Sequence, residues 1–133
     1  MTIHRIDLPW PSPPITLNDR RHHHAHAREV AAVRRDMHWL AVSHKLPKNV
    51  AHIAVQLHWI PNVHRRRDPI NLMGTQKALV DALAAGTTKN PGYGLVADDT
   101  PQFVTDLMPI IHSPETAPRV RMWVELDITQ EPA

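Results

Sequence analysis

A chain of 133 residues fits one domain and is long enough to bury a core, about two thirds of the surface it exposes when unfolded. A hydrophobic share of 42% against 21% charged argues against a disordered chain, and no run approaches the roughly 18 apolar residues that a membrane span requires. The absence of Cys excludes disulfides and thiolate metal sites, and the start Met1-Thr2-Ile3-His4 lacks the apolar run of a signal peptide, so a cytoplasmic location is expected.

The net charge of +2 conceals a division. Residues 1–67 carry 11 Lys/Arg against 4 Asp/Glu, and residues 68–133 carry 4 against 9. All His except His112 precede residue 68. A basic half suits a polyanionic partner. An acidic half suits cation binding or plain solubility. A protein holding both a phosphate backbone and a divalent metal would divide its charge this way; uneven sampling over a short chain is the bland alternative.

Residues 3–8 read as a short strand that Pro9 stops. Four Pro between residues 9 and 24, with a polar basic run, predict a loop. From about Ala27 to His44, Val30, Val33, Met37, Leu40 and Ala41 recur at the spacing of one buried helix face. Residues 51–60 alternate, with Ile53, Val55, Leu57 and Trp59 on one side and His52, Gln56 and His58 on the other, as in a half-buried strand. A loop ending in His64-Arg65-Arg66-Arg67 leads to Asp68-Pro69, an N-cap followed by Pro at the first helical position. The second helix is expected to reach about Ala85, with Leu72, Leu79, Val80 and Leu83 inward and Gly86 as its stop. Gly74 is unfavourable inside a helix and moves the expected start past Asp68. A loop over 87–101 and strands over 102–112 and 120–129 complete the chain. The order β-α-β-α-β-β predicts an α/β (α+β) fold: one domain over 1–133, with a mixed sheet of about four strands and two main helices packed on it. Trp10 is expected in the core, and Trp39, Trp59 and Trp123 in the core or a dimer contact.

The stretch Arg65-Arg66-Arg67-Asp68-Pro69-Ile70-Asn71-Leu72, then Asp81-Ala82-Leu83, then Asp98-Asp99, carries the chemistry. Arginines beside a carboxylate bring phosphate next to a metal ligand, and phosphodiester hydrolysis needs both. Carboxylates from separate elements can hold Mg²⁺ with hard oxygens, leaving several of its waters in place. The ion supplies an activated water and neutralises charge at the leaving oxygen.

These stretches, with Ile6-Asp7-Leu8-Pro9-Trp10-Pro11 and Lys77 through Asp81-Ala82-Leu83, lie in the order and spacing of the RusA family of Holliday junction resolvases, which the sequence resembles over most of its length. The family is common in phages and prophages. The resemblance implies a homodimer that binds branched DNA, above all four-way junctions, and cuts it symmetrically with Mg²⁺, or Mn²⁺ as a substitute. It implies no small-molecule cofactor, no membrane and a place in the bacterial cytoplasm or nucleoid. Asp68 and Asp99 match the family's acidic ligands, with Asp98 as a further candidate, and Lys77 its basic helix residue. Asn71 and Asp81 become supporting residues. Arg65, Arg66, Arg67, Arg20, Arg21, His22 and Lys77 become candidate DNA contacts. Two departures stand out. The family's second acid is replaced by Ile70, and Met73-Gly74-Thr75 reads as an insertion ahead of Lys77. A branched-DNA-binding protein with weakened or lost catalysis is therefore the alternative.

Each residue also has a plainer reading. Asp68 before Pro is a good N-cap, contributing on the order of 1 kcal/mol. Asp98-Asp99 suits a solvated turn, Lys77 and Asp81 suit an i,i+4 surface pair, and the three Arg suit a solvated loop. His22-His23-His24 with His26 would suit a transition metal, as in a metal-storage or sensing protein, but the basic surroundings favour protonation and DNA contact.

Overall fold

A computed structural model describes residues 2–17 and 22–130. The elements are β1 (Thr2–Leu8), α1 (His23–Ser43), β2 (His52–Trp59), a 3₁₀ turn (Pro69–Leu72), α2 (Met73–Leu83), β3 (Val104–Asp106), β4 (Ile110–Ile111) and β5 (Met122–Thr129). The alternation seen in the sequence becomes sheet register. β5 lies between β1 and β2 and is antiparallel to both, pairing Ile6 with Val124 and Leu57 with Val124. β3 and β4 both run parallel to β2, along its other edge.

Ile6, Ile53, Val55, Leu57, Val124, Leu126 and Ile128 are buried, as are Val33, Met37 and Ala41 of α1 and Leu79 and Leu83 of α2. These side chains form one core cluster, with Trp10, Val30 and Leu40 packed partly buried against it. Fully burying an aliphatic side chain of this size contributes about 1.5–3 kcal/mol. The helix and strand faces read from the sequence are therefore the faces that meet.

The sheet has five strands rather than about four. The expected strand over 102–112 divides in two: the Leu107 N–H still donates to the Val55 carbonyl of β2, but Pro109 has no N–H to give it. The first helix begins at His23, so the histidine run predicted as loop is its first turn. His22 is the cap, its ring Nδ1 accepting from the His24 N–H at 3.3 Å. The expected start at Asp68 becomes a 3₁₀ turn, with α2 beginning only at Met73. Gly86 does not stop α2, which ends at Leu83; it takes a positive φ of 71° in a turn that bridges to Pro91. Trp39 is no core residue, being 65% exposed, whereas Trp59 and Trp123 are buried.

Gly74 lies against the segment ahead of α1. A Cβ there would meet Ile15 Cγ2 at 3.0 Å and the Thr16 carbonyl carbon at 3.2 Å. The loop ahead of α1 docks at this point. The Ile15 N–H donates to Thr75 Oγ1, which donates to the Ile15 carbonyl at 2.6 Å, and the Leu17 N–H donates to the Asn71 carbonyl. Among the described residues no helix is long and apolar enough to cross a membrane.

Candidate active site

α2 sets the first part of the site. Leu72, Gln76, Leu79, Val80 and Leu83 share its buried face, which leaves Lys77 and Asp81 one turn apart on the exposed flank. The chain then returns along the end of the helix. Tyr93 and Leu95 N–H groups donate to the Ala82 and Leu83 carbonyls, and the Ala85 N–H donates to Val96. Buried Leu95 and Val96 anchor this return. Gly92 is required in it, since a Cβ would lie 1.8 Å from the Ala84 oxygen. The result places Asp98-Asp99 beside α2.

Lys77 Nζ donates to Asp81 Oδ1 at 3.1 Å and to Asp99 Oδ2 at 3.3 Å. The hydrogen bond it donates to Asp81 holds the Lys77 ammonium above its ordinary range, against partial desolvation. The hydrogen bond from Lys77 holds the Asp99 carboxyl below its ordinary range. Asp98 Oδ1 accepts from the Asp99 N–H at 2.8 Å and fixes the turn. The pair expected on the helix surface is thus the centre of a three-residue cluster drawn from two elements.

Two clefts meet at Asp81. One of about 670 Å³ is lined by Thr16, His23, His26, Lys77, Asp81 and Asp106 among others. The other, of about 240 Å³, is lined by Arg34, Asp81, Asp98 and Asp99. Sequence reasoning missed Asp106 and Arg34. Asp106 Oδ1 accepts from Gln76 Nε2 at 3.2 Å. Gln76 is fully buried; its Oε1 accepts from the Leu57 N–H, and its Nε2 also donates to the Leu107 carbonyl. It therefore completes the β2 edge where β3 and β4 are interrupted and holds an acid at the cleft. A polar residue inside the apolar stripe of α2 was the available signal. Arg34 gave none, because only the packing of α1 on α2 brings it to the acids.

The remaining predicted residues lie as follows. Asp68 is exposed, and its Oδ1 caps the 3₁₀ turn by accepting from the Ile70 N–H at 3.1 Å. Among the described residues it forms no hydrogen bond or ion pair with Lys77, Asp81 or Asp99. The Asn71 N–H donates to the Asp68 carbonyl. Ile70, standing where the second acid was expected, is 43% exposed. Arg65 and Arg66 are exposed, while Arg67 donates to the Val63 carbonyl at 2.8 Å and lies 4.9 Å from the Trp59 ring centre. Arg20 and Arg21 fall outside the described residues. His22, His23 and His24 are exposed, with ligand atoms within 4.8 Å of one another.

Carboxylate oxygens line both clefts, Asp81 and Asp106 in the larger and Asp81, Asp98 and Asp99 in the smaller, and such hard donors suit Mg²⁺; among the described residues only His22, His23 and His24 bring three ligand atoms within reach of one ion. Among the described residues, Lys77 pairs with Asp81 and Asp99, and Arg34 lines the smaller cleft. Compared with protein-family models and with curated proteins, the chain matches none.

Proposed function

We propose that the chain is a Mg²⁺-dependent, structure-selective endodeoxyribonuclease that resolves four-way DNA junctions as a homodimer in the cytoplasm, with Mn²⁺ able to replace Mg²⁺. The observation that carries this reading is the bridging of Asp81 and Asp99 by Lys77 where two clefts share Asp81, one also lined by Asp106 and the other by Asp98. The resemblance to the RusA family supplies the branched substrate and the dimer.

When bound, the ion lowers the pKa of the attacking water and neutralises charge at the leaving oxygen. Asp98 and Asp99 of the smaller cleft would hold it. Asp68, whose Oδ1 caps the 3₁₀ turn, would join them on the strength of the family resemblance alone. Asp81 keeps Lys77 charged and oriented toward a non-bridging oxygen of the scissile phosphate. Water adds to phosphorus as one P–O ester bond breaks, leaving a phosphate monoester and a hydroxyl. Exposed Arg65 and Arg66 contact flanking phosphates, a salt-sensitive and sequence-independent contribution.

A second reading is a junction-binding protein without cleavage. It is favoured by Ile70 in place of an acid and by the Lys77 ammonium already bonded to two carboxylates. Incubating a labelled synthetic four-way junction with Mg²⁺, with Mn²⁺ and with chelator separates the two. Paired symmetric nicks that require a divalent ion support the nuclease. Tight junction binding with intact strands in both metals supports the binder. Equal affinity for the junction and a linear duplex of the same sequence sinks both.

A further inference from the structure

The smaller, acidic cleft adjoins a third cavity of about 340 Å³, lined by Arg34, Arg35, His38, Trp39 and Lys89 among others. It shares Arg34 and Asn90 with the acidic cleft. Joined by the shared walls Asp81, Arg34 and Asn90, the three cavities form a trough beside α1 from His23 and His26, past Asp81 and Asp99, to Trp39. At a rise of about 1.5 Å per residue, the span from His23 to Trp39 is about 24 Å. That is about seven nucleotides of a B-form strand.

The sequence of α1 segregates its charge toward this trough. At about 100° per residue, Arg34, His38, Arg35 and Trp39 fall within an arc of about 140°, and Glu29 and Asp36 lie outside it. Arg35 Nε is 3.6 Å from Asp36 Oδ1 with the guanidinium two-thirds exposed, a contact that solvent screens. Trp39 is 65% exposed at the mouth of the trough. The His38 ring meets it edge-on at 6.3 Å and meets buried Tyr93 at 5.8 Å, so the indole has a supported neighbour.

We propose that this end of the trough is a seat for DNA. Arg34, Arg35 and Lys89 contact the phosphates of a strand leaving the acidic centre, and Trp39 stacks on an unpaired base at the branch point. The seat rests on the endonuclease reading and names where its substrate lies. An exposed aromatic among cations is the arrangement that binds unpaired nucleotides, through stacking and phosphate contact together. A second copy of the chain is the poorer occupant, because a two-fold contact through this stripe would bring its cations against themselves.

The test is binding of a labelled four-way junction and a linear duplex in chelator, by the wild type, R35Q/K89Q, W39A and W39F, each checked by circular dichroism. R35Q/K89Q is expected to weaken binding to both DNAs about tenfold or more, and to reduce the slope of log K against log salt by about 2. W39A is expected to lose about tenfold on the junction while linear duplex binding is unchanged, and W39F to retain most of the junction affinity. Wild-type affinity and salt slope in R35Q/K89Q and W39A would overturn the seat and leave the nuclease reading standing. Dissociation of a dimer by W39A without loss of DNA affinity would overturn it in favour of a subunit contact. A wild type with no preference for the junction would remove the endonuclease reading and the seat with it.

Discussion

Gln76 connects the core to the site. Its buried amide serves the Leu57 N–H, the Leu107 carbonyl and Asp106 together, at 2.9, 2.9 and 3.2 Å. Gln76→Leu keeps much of the volume but orphans the Leu57 N–H at the edge of β2. Leaving a buried polar group unsatisfied costs about 1–3 kcal/mol. Urea denaturation should show a loss in that range with an unchanged m-value; a loss below a few tenths would mean that water replaces the amide. Lys77 behaves differently. Its ion pairs are solvent-exposed, so their contribution to stability is small. Lys77→Met should leave the melting temperature nearly unchanged while the Asp99 carboxyl titrates higher, toward its ordinary value of 3.8. An NMR titration of the Asp99 side chain reads this, and an unmoved pKa would show that Lys77 is not its partner.

At the scale of elements, the return segment after α2 decides whether the acids reach the lysine. It was read as a loop because Thr, Gly, Pro and Asp dominate it, and it has no periodicity to show that Leu95 and Val96 are buried or that Val96 bridges to Ala84. Gly92→Ala forces the segment away from the Ala84 oxygen, and overpacking of this kind costs about 1–3 kcal/mol. The variant should lose both stability and the Lys77–Asp99 contact, seen as an Asp99 pKa moving upward alongside a lowered urea midpoint. The regular elements were more legible. β2 and β5 alternate cleanly because one of their faces is buried, and the apolar stripes of both helices are the stripes in the core. Helix starts were less legible. The His run opens α1, with a ring supplying the cap in place of the usual Ser, Thr, Asp or Asn. Of the candidate site, Asp81 and Asp98-Asp99 stand out in the sequence and Lys77 comes from the family resemblance; the structure brings Lys77, Asp81 and Asp99 together, with Asp98 fixing the turn, but leaves Asp68 capping the 3₁₀ turn without a contact to them. Asp106 and Arg34 were missed because strand pairing and helix packing, both long-range, place them.

Across the whole molecule, the outer side of the sheet carries a second titratable group. His58 is buried, stacked on Trp123 at 5.0 Å, with its Nδ1 2.9 Å from His112 Nε2. Desolvation holds His58 below its ordinary pKa of 6.5, opposed by Glu125 and reinforced by His112 and Arg5. Between the depressed folded value and 6.5 the unfolded chain binds more protons, so stability rises with pH in that window. The contribution is present in full above pH 6.5 and is lost as pH falls from there through the folded value. Chemical denaturation from pH 8 to 5 should show that loss, reduced in His58→Gln; a wild-type profile flat below pH 6.5 would contradict it. The division of charge along the chain also gains a spatial form, with the acids of α2, β3 and the return segment meeting cations of α1 across one trough. The central claim is that this trough hydrolyses DNA through its acids. The most direct measurement is cleavage of a labelled four-way junction in Mg²⁺ by the wild type beside Asp99→Asn. Paired nicks by the wild type, lost by at least about a hundredfold in Asp99→Asn with junction binding retained, are the predicted result. Equal cleavage by the two proteins would contradict it.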